Sequence, residues 1–429
     1  MKSIWQETPL PQFPALDGDT KTDVLIIGGG IAGILTAHFL QKNGVPYILV
    51  EKNRICSENT RNTTAKITVQ HGLIYSRLMK SGGVYTAQKY LGANKAAFNE
   101  YARLCGSIDC DYEVKDNYVY SSHRSKLRDE MRALDRLGYN AEYCRELPLP
   151  VKTAGAVKFP QQAQFDPLKF IAEIAKELQI YENTFVRELD GKTAITDRGR
   201  ITAEKTVIAT HFPFINRHGA YFLKLYQHRS YVIALKDAAV PDGMYVDDDS
   251  AGLSFRGYKD LLLLGGGGGR TGKGCGGWEF LRNFSKLHYP GAKEEYFWAA
   301  QDCMSLDSVP YIGRYSKRTH KLYVETGFNK WGMTGAMVSA MLVSDMILGR
   351  KNEFADIFDP SRSILKPQLA VNGAHAVVRL LTPPKRVCPH MGCALKYNPV
   401  EDTWDCPCHG SRFSDDGKVL NNPSQEDLV

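Results

Sequence analysis

Two stretches of this 429-residue sequence concentrate residues that can do chemistry. Near its end, "CPHMGCALKYNPVEDTWDCPCHGSRF" places four of the ten cysteines and two of the eleven histidines within twenty-six residues. Cys388-x-His390 is followed by fifteen residues and then by Cys406-x-x-His409, with Cys393 and Cys408 as a second pair of thiols. Thiolate and imidazole in two short loops are ligands for iron or zinc. Near the start, "TDVLIIGGGIAGILTAHFLQKNGVPYILVEKN" carries G-x-G-x-x-G at Gly28, Gly30 and Gly33, with Glu51 at the end of the next apolar run. That pattern makes a tight turn, lets backbone approach a diphosphate, packs a helix closely and offers a carboxylate to ribose hydroxyls. FAD and NAD both satisfy it.

The elements around the glycines suit the task. Val24 to Ile27 reads as a short strand, Ile34 to Leu40 keeps helical apolar spacing, and "PYILVEK" reads as the second strand of a βαβ unit. A second formal match, Gly267, Gly269 and Gly272 in "LLLLGGGGGRTGKGCGG", leads into "KGCGGWEF", too rich in glycine to begin a helix, and no acid follows at the expected spacing. It is read as a strand and a mobile loop, which makes paired dinucleotide domains an unfavoured arrangement. The length predicts two or three domains of overall α/β class (α+β overall). A net charge of +7, with basic residues scattered among acids, argues against nucleic-acid binding. No secretory signal follows Met1, the apolar run from Val24 is too short for a membrane span, and Cys56, Cys105, Cys110, Cys144, Cys275 and Cys303 lie dispersed as reduced thiols would. The expected location is cytoplasmic.

Further segments resemble the D-amino-acid-oxidase-like family of FAD-dependent oxidoreductases, which includes sarcosine, glycine and γ-glutamylputrescine oxidases. They are "SENTRNTTAKITVQHG" from Ser57, "FDPLKFIAEIAKEL" with "ENTFVREL", "KTVIAT" from Lys205, "DSVPYIGR" from Asp307 and "ETGFNKWGMTGAMVSAMLVSDMILG" from Glu325. The resemblance implies FAD, with Arg61 and Thr64 near the diphosphate and ribityl, Val186 at adenine, and Gly332, Met333 and Thr334 opening a helix towards the flavin. It implies an FAD-binding part over 22–88, 150–212 and 300–352, and a substrate part over 89–149 and 213–299. "HRSYVIALK" and "GLSFRGYKDLLLLGG" would be strands of the latter, with a helical stretch from about Val84 to Leu137 before them. For catalysis the candidates are Lys66 and His71 near the flavin and Arg270, on the glycine loop, for an anionic substrate.

Cysteine and histidine in the order Cys388, His390, Cys406, His409 match the Rieske [2Fe-2S] pattern, in which cysteines hold one iron and histidines the other. A Cys2His2 zinc site competes but leaves the second thiol pair unexplained. The Rieske resemblance implies a disulfide between Cys393 and Cys408. It also matches Ser411 to a serine that hydrogen-bonds cluster sulfide, while Phe413 replaces a tyrosine. A potential below the top of the range of about −150 to +300 mV is expected. Residues 365–429 are too few for a full Rieske fold, so this reduced, all-β domain is expected to lean on the flavin part or a neighbouring subunit.

FAD accepts electrons in pairs and a [2Fe-2S] cluster carries them singly. The sequence therefore predicts an oxidoreductase, a dehydrogenase rather than an oxidase, that oxidises a small-molecule amine or amino acid. Electrons would pass through the cluster to an external one-electron acceptor. The alternatives are a reductase running electrons from an external donor inward, and an electron-transfer or redox-sensing protein without a substrate.

Overall fold

The computed structural model describes residues 1–249 and 252–428. Among them, three sheets organise the chain. The first has a parallel centre in the order Leu322–Thr326, Arg200–Ile208, Thr20–Ile27, Tyr47–Val50, Ile180–Tyr181. Strand Tyr311–Arg314 adds antiparallel at one edge. The Thr20–Ile27 strand is covered on both faces, as a parallel sheet requires: Val24 and Ile26 join the core beneath helices Ile31–Lys42 and Gly332–Ile347, and Leu25 and Ile27 join a second cluster with Val186, Phe212 and Tyr311.

The second sheet is a mostly antiparallel layer. Its long strands Leu225–Lys236, Leu261–Arg270 and Lys293–Ser305 lie side by side, followed outward by Ser254–Tyr258, Met244–Asp247, Glu113–Tyr120 and Ala156–Gln164. Strand Ala156–Gln164, expected within the nucleotide-binding part, belongs here because it pairs with Glu113–Tyr120, and Lys66–Ile67 joins its far edge. The helical stretch expected over Val84 to Leu137 is interrupted: helix Ile74–Cys105, kinked at Gly83, gives way to strand Glu113–Tyr120 before helix Arg124–Arg136. "NYVY" supplies the β-branched and aromatic residues of this strand, and pairing with Ala156–Gln164 fixes it.

The third sheet is small and antiparallel: Lys396–Asn398, Thr403–Asp405, Arg412–Ser414 and Val419–Asn421. Helix Pro367–Leu381 precedes it. Its core is Cys388, Cys393, Cys406 and Cys408 with Leu395 and Phe413, so four of its six buried members are thiols. Among the described residues no helix is long and apolar enough to cross a membrane.

Candidate functional site

A cavity of about 730 Å³ opens between the first two sheets. Its floor is the glycine turn. Gly28 has φ +114°, and a Cβ there would sit 2.6 Å from the Ala209 carbonyl oxygen. A Cβ on Gly33 would collide with the Gly28 carbonyl, whereas one on Gly30 would meet only Thr60 Oγ1 at 3.6 Å. Glycine is thus enforced by turn geometry at 28, by helix packing at 33, and at 30 by the space a diphosphate would fill. Helix Ile31–Lys42 begins there without a side-chain cap; Thr60 Oγ1 takes the Ile31 N–H at 3.1 Å. Glu51 lies on the wall and accepts the N–H groups of Gly29 (2.8 Å) and Asn53 (3.0 Å). Burial raises its carboxyl above the ordinary range against these two bonds. Thr64, Val186, Gly332 and Met333 also line the cavity. The glycine turn, the side-chain-free N-cap Gly30 and a cavity lined by Glu51, Val186 and Met333 fit FAD.

Two other expected contacts stand off the wall. Arg61 does not line the cavity; its carbonyl takes the Ser3 hydroxyl, and Thr60 and Thr64 on either side face inward instead. Thr334 acts through His71, whose Nε2 lies 2.8 Å from its hydroxyl and 2.9 Å from the Thr68 carbonyl. The carbonyl requires the proton on Nε2, so Nδ1 accepts from Tyr90 at 2.6 Å. Burial pulls this imidazole down to about 3, and it stacks on Trp331 at 5.0 Å, fixing the residue before the helix Gly332–Ile347. Lys66 faces the cavity with Nζ 3.1 Å from Thr64 Oγ1. Burial and the nearby Arg256 guanidinium bring its ammonium down to about 7.

The cavity contains charged residues that the sequence reading missed. Asp302 and Lys330 both line it, and burial pushes the Asp302 carboxyl up to about 6 despite Lys330 and Arg229. A single acid in the otherwise apolar run "FWAAQDCMS" is the signal that was available.

The metal loops come together at the third sheet. Cys388 N–H donates to the Cys393 carbonyl (2.9 Å) and Cys406 N–H to the Ser411 carbonyl (2.8 Å), closing two tight turns. The sulfurs of Cys393, Cys406 and Cys408 lie within 4.8 Å of one another. The rings of His390 and His409 stand 5.0 Å apart, nearly perpendicular. His390 Nδ1 and Nε2 and His409 Nδ1 are buried without a hydrogen-bond partner. Such orphaned nitrogens are costly unless a metal takes them. Burial holds both imidazoles at about 4, hence neutral and able to ligate. The donor set of two thiols and two unpartnered imidazoles fits a [2Fe-2S] cluster. All ten cysteines carry free thiols, so the expected Cys393–Cys408 bridge is not formed here; the Cys406 sulfur sits within reach of both.

Arg270, expected to hold an anionic substrate, points elsewhere. Its Nε and Nη2 donate to the carbonyls of Pro407 (3.1 Å) and Cys408 (3.0 Å), and Nη1 donates to Asn372 Oδ1 (2.8 Å). It clamps the second metal loop. The glycine run before it is strand Leu261–Arg270, and Gly272 packs against Pro407 where a mobile loop was expected. Beside this clamp, Gln227 Nε2 donates to the His409 carbonyl (2.9 Å) and Gln301 Nε2 to the Gly410 carbonyl (2.8 Å). Arg229 binds Glu401 through two nitrogens, at 2.8 and 2.5 Å, and Arg412 reaches the same carboxylate at 2.9 Å. Burial alone would raise Glu401, but the two guanidinium groups hold it down at about 2.

Known proteins match both halves. The profile of the FAD dependent oxidoreductase family matches residues 23–346, and that of the Rieske [2Fe-2S] domain matches 381–429. A Bacillus subtilis (strain 168) protein described as a Rieske 2Fe-2S iron-sulfur protein, YhfW, is 32% identical, covering 100% of this chain and 97% of its own. A cytochrome b6-f complex iron-sulfur subunit 3 from Nostoc sp. is 46% identical over 37 residues, 9% of this chain and 21% of its own. Among solved structures, L-proline dehydrogenase from P. horikoshii superposes with a TM-score of 0.66 at 18% identity, covering 81% of this chain and 98% of that one. Glycine oxidase from Geobacillus kaustophilus does so at 0.64 and 19%, covering 80% and 99%. These structures share the fold.

Proposed function

Since the chain belongs to the FAD-dependent oxidoreductase family and carries a C-terminal Rieske [2Fe-2S] domain, we propose that it oxidises an amine or amino acid and delivers the electrons through the cluster to an external one-electron acceptor. FAD would supply two-electron chemistry and the cluster one-electron transfer. The observation that carries this reading is a shared wall: Val419, Asn422 and Ser424, from the cluster domain, line the same cavity as Gly28 and Met333. A substrate class of amines or amino acids is supported by the names of the structural neighbours, a proline dehydrogenase and a glycine oxidase.

The residues divide the work. Gly28, Gly30, Gly33 and Glu51 would seat the dinucleotide, and Cys388, Cys406, His390 and His409 would hold the iron pair. Cys393 and Cys408 would close a disulfide across the metal loops only when an external thiol oxidant takes the two electrons and two protons that the bond releases. Lys66, partly neutral near pH 7, can accept a proton from an ammonium substrate.

Electron paramagnetic resonance on anaerobic protein, before and after photoreduction of the flavin, tests the reading. A Rieske signal that grows with flavin reduction supports it, and amino acids and amines are then screened with that signal as reporter. Iron that never receives flavin electrons overturns it, as does zinc in place of iron. Steady-state turnover with an artificial donor but none with an artificial acceptor would establish the reverse, reductase direction.

A further inference from the structure

Between the glycine turn and the cluster loops runs one short segment. It leaves strand Arg200–Ile208 beside Gly28, since the Ala209 N–H bonds the Ile27 carbonyl at 2.9 Å. Thr210 and His211 then line the cavity. His211 adopts φ +63°, a left-handed conformation that costs a non-glycine residue energy and turns the chain outward. Immediately beyond, the Phe212 ring meets both cluster histidines edge to face, at 6.3 Å from His390 and 6.3 Å from His409. Phe222 covers His409 from another side at 6.4 Å, and its backbone accepts a hydrogen bond from that imidazole. With His409 Nδ1 unpartnered, the nitrogen that meets Phe222 is Nε2, leaving Nδ1 towards the metal. Asn422 ties the segment down, donating to the carbonyls of Thr210 and Phe212, while its own carbonyl takes Gln227.

The histidine edge of the metal site is therefore turned into the protein and packed with aromatic rings. The first metal loop is open on either side of the half-buried His390: Pro389, Met391 and Gly392 are exposed. We propose that His211 and Phe212 are positioning residues that hold the cluster's histidine edge against the flavin cavity and seal it from water, so that this edge exchanges electrons within the chain while an external carrier protein meets the cluster over the exposed Pro389, Met391 and Gly392. The proposal rests on the flavin-to-cluster reading and adds the route and the outlet. With both cofactors bound, each transfer would move one electron from reduced flavin to one ferric ion of the pair, and the two flavin protons would be released to cavity water over the two transfers. The second electron follows after an external one-electron carrier protein has reoxidised the cluster.

The test uses the full-length holoprotein, with flash photoreduction of the flavin followed by cluster bleaching, and pulsed electron paramagnetic resonance in D2O to follow deuteration of the ligand imidazoles. In the wild type the imidazole proton should exchange slowly. Phe212→Ala should slow internal transfer by about tenfold to a hundredfold, as a misplacement on the order of 1 Å can, and should open the imidazole to exchange at unchanged flavin and iron content. Phe212→Leu keeps the bulk and should stay protected. Met391→Glu should slow only the reduction of an added carrier protein. Wild-type rates and protection in Phe212→Ala overturn the proposal. Where Phe212→Ala loses its iron, the wild type decides: exchange within the dead time overturns the seal, and slow exchange supports it. A wild-type cluster that is never reduced by flavin defeats the proposed function itself, while its imidazole protection still reports on the seal.

Discussion

The two halves of the molecule bury acidic side chains in opposite ways. In the flavin half, Glu325 on strand Leu322–Thr326 accepts the Thr36 hydroxyl at 2.6 Å with no ion pair among the described residues, and burial pushes its carboxyl up to about 8. It is neutral at pH 7. At the seam with the cluster half, Glu401 is equally secluded but ionised, between Arg229 and Arg412, with Tyr231 donating at 3.0 Å. The difference follows from what each half has to offer. The flavin half has a large apolar core and can absorb a protonated acid at little cost. The cluster half has a core made largely of its own thiols, and takes its orientation from charge pairs and carbonyl contacts with the larger half. One half is self-supporting; the other is held by metal and by docking.

Iron removal should break the comparison most severely. With a chelator and reductant, amide exchange in 385–428 should rise towards that of an unfolded chain, because metal affinity is folding energy in a core of this kind, while strand Thr20–Ile27 stays protected. Protection in both halves alike would contradict the contrast. The converse lesion is Gly33→Ala, whose Cβ meets the Gly28 carbonyl. Flavin content should fall to near zero with the Rieske signal retained in the same preparation.

Glu401→Gln should cost about 3 kcal/mol, since it leaves the buried Arg229 guanidinium without a carboxylate while Arg412 keeps Asp405; chemical unfolding followed by cluster absorbance reads the loss. Its acid dependence has a definite sign. A carboxyl held down at about 2 contributes stability that is complete above its unfolded value near 4.5 and is lost as pH falls towards 2. The wild-type cluster half should therefore loosen in that window and the variant should not.

Glu325 should behave inversely. Its raised value means that the folded state binds the extra proton, so its contribution declines as pH rises from 4.5 to about 8. Glu325→Gln should therefore gain stability at pH 8 and almost none at pH 4, read by chemical unfolding at the two values. The smallest effect is expected at Lys66, where Lys66→Met should leave stability nearly unchanged and remove the rising limb near pH 7 from the kcat/KM profile of whichever amine is turned over.

What the sequence disclosed depended on how local the signal was. The glycine turn, Glu51 and the four metal-ligand candidates are read from spacing within about thirty residues, whereas the close approach of the Cys393, Cys406 and Cys408 sulfurs is seen only in three dimensions. Strand Glu113–Tyr120 was lost within a helical reading because propensity yields to pairing with Ala156–Gln164. Arg270 was misplaced for a related reason: a cation after a glycine run looks available for substrate, and nothing nearby in sequence shows that the carbonyls of Pro407 and Cys408 will claim it. Asp302 was marked only by its place as an acid in a largely apolar strand, and Lys330, His211 and Phe212 reach the cavity or the metal loops only when distant strands meet, which no periodicity encodes.

The seam between the halves is cut to the width of bare backbone. A Cβ on Gly272 would press on Pro407 at 2.7 Å, one on Gly277 on Val400 at 2.6 Å, and one on Gly410 on Gln227 at 2.5 Å. Glycines on both sides thus act as a fitted key. A Rieske module transplanted from another protein would arrive with side chains where this pair leaves none, and a recombination event joining such modules would need to carry matching glycines on each partner. Shuffling of these two domains is therefore constrained less by the chemistry of either cofactor than by the absence of a few carbon atoms between them.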